Sequence, residues 1–166
     1  RVLIEAEAGQ DLRGVQVLLA GGISDGSSAA MAVTIGAPLL RLGVEVGVLM
    51  GTAYLFTDEA VDSGAITPRF HREVLRCERT VLFETGPGHA IRCIDSPYRK
   101  TFDDQRRELV AQRKGHEEIR IALEMQNVGR LRIASKGVTR VGNTLTELSE
   151  DQQWQEGMYM VGQVAA

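Results

Sequence analysis

Residues Val15–Thr52, VQVLLAGGISDGSSAAMAVTIGAPLLRLGVEVGVLMGT, set two short apolar runs on either side of one helix-length segment. The runs, Val15–Leu19 and Val44–Met50, are nearly continuous rather than alternating, as suits strands covered on both faces. A parallel pair needs a crossover, usually a helix, and the crossover returns both strand C-termini to one edge. Each run ends in a glycine-containing tip: Ala20-Gly21-Gly22-Ile23 after the first, Met50-Gly51-Thr52 after the second. The spacing therefore predicts two backbone-rich tips side by side at one end of a parallel sheet.

Such a pair suits a phosphate. Gly21 and Gly22 allow a sharp turn and leave amides open to a ligand. Ser24, Asp25 or Ser27 are candidates to cap the helix that follows, whose free N–H groups and dipole favour an anion. Gly51 removes a side chain where the second tip must approach the same anion, and Thr52 adds a hydroxyl. Standing alone, Gly21-Gly22 is equally a tight turn. Two tips joined by one crossover match the phosphate site of many (β/α)8 barrels, built from the loops after strands seven and eight. The nucleotide-binding signatures G-x-x-x-x-G-K-[ST] and G-x-G-x-x-G are absent.

AGGISDGSSAAMAVTIGA followed by GVLMGTAYLFTDEA resembles the flavin-phosphate segment of the nitronate monooxygenase (2-nitropropane dioxygenase) family. Ala20, Gly21, Gly22 and Ile23 fall on its first motif, with Asp25 and Gly26 following; Met50, Gly51 and Thr52 fall on its second, continued by Thr57, Glu59 and Ala60. The resemblance implies an FMN-binding barrel with the FMN phosphate among Gly21, Gly22, Gly51 and Thr52. FETGPGHAIRC, GRLRIASKG and EGMYMVGQVAA resemble the related domains of bacterial polyketide and fatty-acid synthase proteins, where flavin enoyl reductases are relatives. That context implies an acyl-thioester substrate as the alternative to a nitronate, and an acyl carrier protein as partner.

The family's candidate base is a histidine in a Gly-Gly-His type loop, one strand upstream of the first motif. Arg1–Arg13 supplies Glu5, Glu7 and Asp11 but no histidine. A whole (β/α)8 barrel takes about 250 residues. The 166 residues, which begin with Arg and end in Val-Ala-Ala, are thus expected to be the C-terminal part of a larger protein, with the base upstream of Arg1. The expected fold class is α/β: the last two β/α units of a TIM barrel over residues 1–62, then a mainly helical extension over 63–166 packing on the barrel. Isolated, such a piece is expected to expose a broken sheet edge.

Hydrophobic residues make 43% of the chain and charged residues 25%, ordinary for a soluble globular protein. A net charge of −3 gives no reason for a nucleic acid or an anionic membrane as partner, and no apolar run has transmembrane length. Cys77 and Cys93 fit no metal or redox spacing and read as thiols of a reducing cytoplasm. No metal is expected.

Beyond the tips, Ser27–Leu42 reads as a helix stopped by Gly43, with Gly36 and Pro38 inside it suggesting a kink or an early end. Thr57–Val61 starts a helix broken by Ser63-Gly64, and Thr67-Pro68 opens another, lined by Phe70, Val74 and Cys77. Thr80–Glu84 is strand-like and Thr85–His89 a turn. Asp103–Arg113 and Glu117–Asn127 are amphipathic helices split by Gly115. Leu131–Ala134 is a strand or a helical turn, Gly142–Asn143 a turn, and Met158–Val164 a closing apolar segment.

His89, in Gly86-Pro87-Gly88-His89 with Arg92, is a candidate proton donor, against the reading of a rigid turn. Arg130, Arg132, Lys136 and Arg140 form a basic stretch that is either a partner surface or a solvated face. Gln163 is placed to contact a flavin or to cap the barrel. Trp154, Met158, Tyr159 and Met160 read as core or interface residues, and His71 and His116 receive no role. Two rival functions stay open: a phosphate-binding barrel enzyme without flavin, and a non-catalytic barrel scaffold.

Overall fold

The computed structural model describes residues 12–86 and 89–162. Glu5, Glu7, Asp11 and Gln163, together with Pro87 and Gly88, lie outside the described residues. The chain is mixed α/β and divides into two compact units, one through Ala53 and one from Tyr54 onward.

The first unit is the expected strand–helix–strand. Strands β1 (Gln16–Ala20) and β2 (Glu45–Leu49) pair in parallel, in register from Gln16↔Glu45 to Ala20↔Leu49. Helix α1 (Gly26–Leu40) is the crossover. It runs through Gly36 and ends two residues after Pro38, and Gly43, at φ +85°, turns the chain into β2. Gly36 is buried because the helix lies hard against β2: a Cβ there would stand 2.7 Å from Val46 Cγ1. Among the described residues the sheet has these two strands alone. Leu18, Leu49, Met31 and Ile35 are each more than half exposed.

The second unit opens with the last turns of a 3₁₀ helix, Thr52–Phe56, and α2 (Asp58–Asp62). Helix α3 (Pro68–Leu75) starts as its sequence dictates, with Pro68 in the first turn and the Thr67 hydroxyl accepting from Phe70 N at 3.1 Å. A hairpin follows, β3 (Val81–Gly86) and β4 (His89–Cys93), in antiparallel register from Val81↔Cys93. Then come α4 (Pro97–Ala111), α5 (His116–Asn127) and α6 (Arg130–Lys136). A second hairpin, β5 (Val138–Val141) and β6 (Thr144–Glu147), precedes α7 (Glu150–Glu156).

This unit is helix-rich, as expected of the extension, but two antiparallel hairpins interrupt it. Leu131–Ala134 is helical. Left-handed glycines bracket α6, Gly129 at φ +82° and Gly137 at φ +64°. Ile133 and Ala134 are buried from one side of the helix only. Two core clusters hold the unit together. Phe70, Val74, Ile94, Ala134, Tyr159 and Val161 form one, with the Phe70 and Tyr159 rings 5.0 Å apart. Phe83, Cys93, Tyr98, Phe102, Leu123 and Met158 form the other, with Phe102 edge-on to Phe83 at 4.6 Å.

Candidate phosphate site on the first unit

Because Ala20 pairs with Leu49, the first tip and the second leave the sheet at the same level. Neighbouring strands run about 4.8 Å apart, so the tips start within reach of one small anion. Gly21 and Gly22 take φ of +96° and +70°, two successive left-handed residues that only glycine adopts without strain. The amides of Gly22, Ile23 and Gly51 donate to no group among the described residues. Ala20, Gly21, Gly22, Met50 and Gly51 are exposed, and Ile23 and Thr52 are half-buried. A Cβ added at Gly21, Gly22 or Gly51 would meet nothing within 4 Å, so open space lies over both tips.

The helix end behind the first tip is already neutralised. Asp25 is the N-cap of α1, and its Oδ1 accepts from Ser28 N at 2.7 Å. The Ser28 hydroxyl donates to the same oxygen at 2.7 Å and accepts from Ser24 N and Asp25 N at 3.0 and 3.1 Å. Those hydrogen bonds from Ser28, backbone first, and from Ser27 N hold the Asp25 carboxyl below its usual range. Of the three cap candidates Ser24, Asp25 and Ser27, Asp25 takes the cap, and its carboxylate sits at the helix end where the N–H groups and dipole were expected to favour an anion. An anion at the tips would rest on the loop amides, with Asp25 repelling it.

The other candidates lie in the second unit. His89 begins β4 with an exposed side chain, and its carbonyl accepts from the Thr85 hydroxyl at 3.3 Å. Arg92 donates to Thr80 Oγ1 at 3.2 Å, within the same hairpin. Arg130 is structural: it pairs with Glu156 at 3.0 Å, donates to the Gln126 carbonyl and lies over the Tyr98 ring at 5.0 Å. Trp154 and Tyr159 pack ring to ring in the core, and Met158 is buried. Cys93 is buried, and loss of solvation pushes its thiol up to about 11; Cys77 is half-buried. Among the described residues no cluster of His, Cys, Asp and Glu could hold a metal ion, and no helix is long and apolar enough to cross a membrane.

Sequence reasoning identified the tips but missed Ser28, which completes the cap. The signal was available as the N3 position of a capping box, with serine in place of the usual Glu or Gln. Comparison of the chain with family models, with curated proteins and with solved structures finds no match.

Proposed function

We propose that the chain is the phosphate-binding end of an FMN-dependent oxidoreductase, nitronate monooxygenase-like or a flavin enoyl reductase of polyketide or fatty-acid synthesis. One observation carries the reading: two glycine tips with open amides leave paired parallel strands at one level. Gly22, Ile23 and Gly51 amides hold the FMN phosphate, with Ala20, Gly21, Met50 and Thr52 shaping the two loops. FMN supplies a ring that takes up or passes on a hydride; the protein's part here is to anchor its phosphate.

The reading extends to the sheet. Parallel strands occur almost only with both faces covered and with neighbours on either side. The exposed Leu18 and Leu49 on β1 and β2, and Met31 and Ile35 on α1, are apolar surface of the kind that further β/α units cover in a barrel. Leu18 and Leu49 then face packed layers instead of water. A catalytic base is not assigned: His89 belongs to the other unit, and its nearest described bond is made by its backbone.

The test is FMN retention. Gly51 has open space around its Cβ position and needs no left-handed backbone, so Gly51→Asp leaves the fold intact while placing bulk and like charge at the phosphate. The variant is expected to lose FMN with no change in melting temperature. Equal FMN content in both proteins rules out the assignment. A colourless protein that binds inorganic phosphate at the tips but not FMN points instead to a phosphate-binding enzyme without flavin.

A further inference from the structure

A second surface, wholly within the Tyr54-onward unit, carries unmatched charge beside exposed apolar side chains. Helix α6 and the β5–β6 hairpin enclose an open groove of about 680 Å³, lined by Gly129, Leu131, Arg132, Ser135, Lys136, Val138 and Leu145. Its floor is apolar. Leu131 and Leu145 are 43% and 54% exposed, which is costly surface for a protein to leave in water. Arg140 stands directly across the hairpin from Leu145, on the same face, and so borders the groove.

The rim is mainly cationic, with Glu147, directly across the hairpin from Val138, as the one carboxylate that the same register puts on its face. Among the described residues Arg132, Lys136 and Arg140 pair with no carboxylate; Lys136 Nζ donates to the Gly64 carbonyl at 2.6 Å, which holds the side chain without neutralising it. Arg130, by contrast, is consumed by Glu156 and Tyr98. Glu147 lies across from Val138 on β6, and Glu150 and Asp151 open α7, further along the chain. Arg72 pairs with Glu150 at 2.5 Å. Three unpaired cations against one carboxylate thus mark this face in a chain of net charge −3.

We propose that this groove docks a short acidic amphipathic helix of a partner protein. Its apolar ridge would lie on Leu131, Val138 and Leu145, and its carboxylates would meet Arg132, Lys136 and Arg140. A helix presents side chains at i, i+3, i+4 and i+7 along one face, so one face can carry an apolar ridge flanked by carboxylates. A planar anionic membrane is the poorer fit, because the apolar residues line a groove and Glu147 shares the face of the three cations. The proposal is independent of the FMN reading.

The probe is a fluorescent synthetic peptide with Leu at i, i+3, i+4 and i+7 and Glu at the flanking positions, titrated with the whole chain and read by anisotropy. Binding is expected to weaken as salt rises. Arg132→Glu with Arg140→Glu is expected to weaken it at least tenfold, and Leu145→Asn severalfold, with unchanged circular dichroism. The same peptide with Gln for Glu needs no variant and is expected to bind at least tenfold more weakly. The proposal is overturned by absence of binding, by equal affinity for the Glu and Gln peptides, or by salt-independent binding. It is also overturned if the chain prefers anionic phosphatidylglycerol vesicles to the peptide.

Discussion

At Asp25 one carboxylate serves the fold and would oppose the anion proposed at the first tip. It caps α1 through Ser28, so its contribution to stability is present above the ordinary carboxyl value of 3.8 and is lost as pH falls through its lower folded value. Asparagine caps helices about as well as aspartate but carries no charge. Asp25→Asn is therefore expected to tighten FMN binding severalfold at low salt, the gain fading at high salt; a titration showing weaker or unchanged binding at low salt argues against an anion at the first tip. Cys93, Tyr98 and Tyr159 act at the other end of the pH scale. Burial raises all three, Cys93 to about 11 and Tyr98 to about 12, from ordinary values of 9.0 and 10.0. The folded chain keeps protons that the unfolded chain has released, so stability falls as pH rises from about 9. A disulfide-exchange reagent at pH 8 is expected to label Cys77 long before Cys93; simultaneous labelling would mean that the second core cluster is open. These residue roles divide by legibility. Glycine tips are written in the chain because backbone freedom belongs to the residue itself. Burial of Cys93, and the pairing of Arg130 with Glu156, depend on partners far away in sequence.

Elements were legible where their signals are local. Thr67-Pro68 opens α3 as read, and β1, α1 and β2 fall within a residue or two of expectation. The β3–β4 hairpin was read only as one strand and a turn, because β4 is five residues long and is held by non-local bonds: Cys93 bridges to Met160, and Val161 N donates to the Arg92 carbonyl at 3.2 Å. Helix α4 begins at Pro97, six residues before its expected start, since the polar first turns hide Tyr98 and Phe102 as its buried side. The joints between elements carry their own tests. Gln153 on α7 donates to Thr67 Oγ1 and to the Ala134 carbonyl, each at 2.5 Å, and accepts from the Tyr159 hydroxyl at 3.1 Å. The Tyr159 bond is to the Gln153 backbone carbonyl and survives in Gln153→Ala, which removes the two amide bonds to Thr67 and Ala134 and is expected to cost about 1–3 kcal/mol in denaturant unfolding. Gly36→Ala pushes a methyl into Val46 and is expected to cost about 1–3 kcal/mol by overpacking, whereas Gly51→Asp is expected to be neutral. Equal melting of the Gly36 variant and the parent would mean that α1 does not sit against β2 as described.

Taken as a whole, the described chain concentrates its core in one unit. Both buried clusters lie between Ala60 and Val161, while the first unit buries only Gly36 and Val44 fully. Hydrogen exchange is therefore expected to be slow in α3, α4 and β3–β4 and fast in β1 and β2 when no ligand is bound. Comparable protection in both units would contradict the sparse packing described for β1 and β2. Added FMN is expected to slow exchange at Gly22, Ile23 and Gly51 through the bonds proposed for its phosphate. The most direct test is to titrate FMN into the purified protein and its Gly51→Asp variant, following quenching of flavin fluorescence. Saturable quenching by the parent and none by an equally stable variant is the expected result. Equal quenching by both, or by neither, would contradict a flavin-phosphate site at the paired tips.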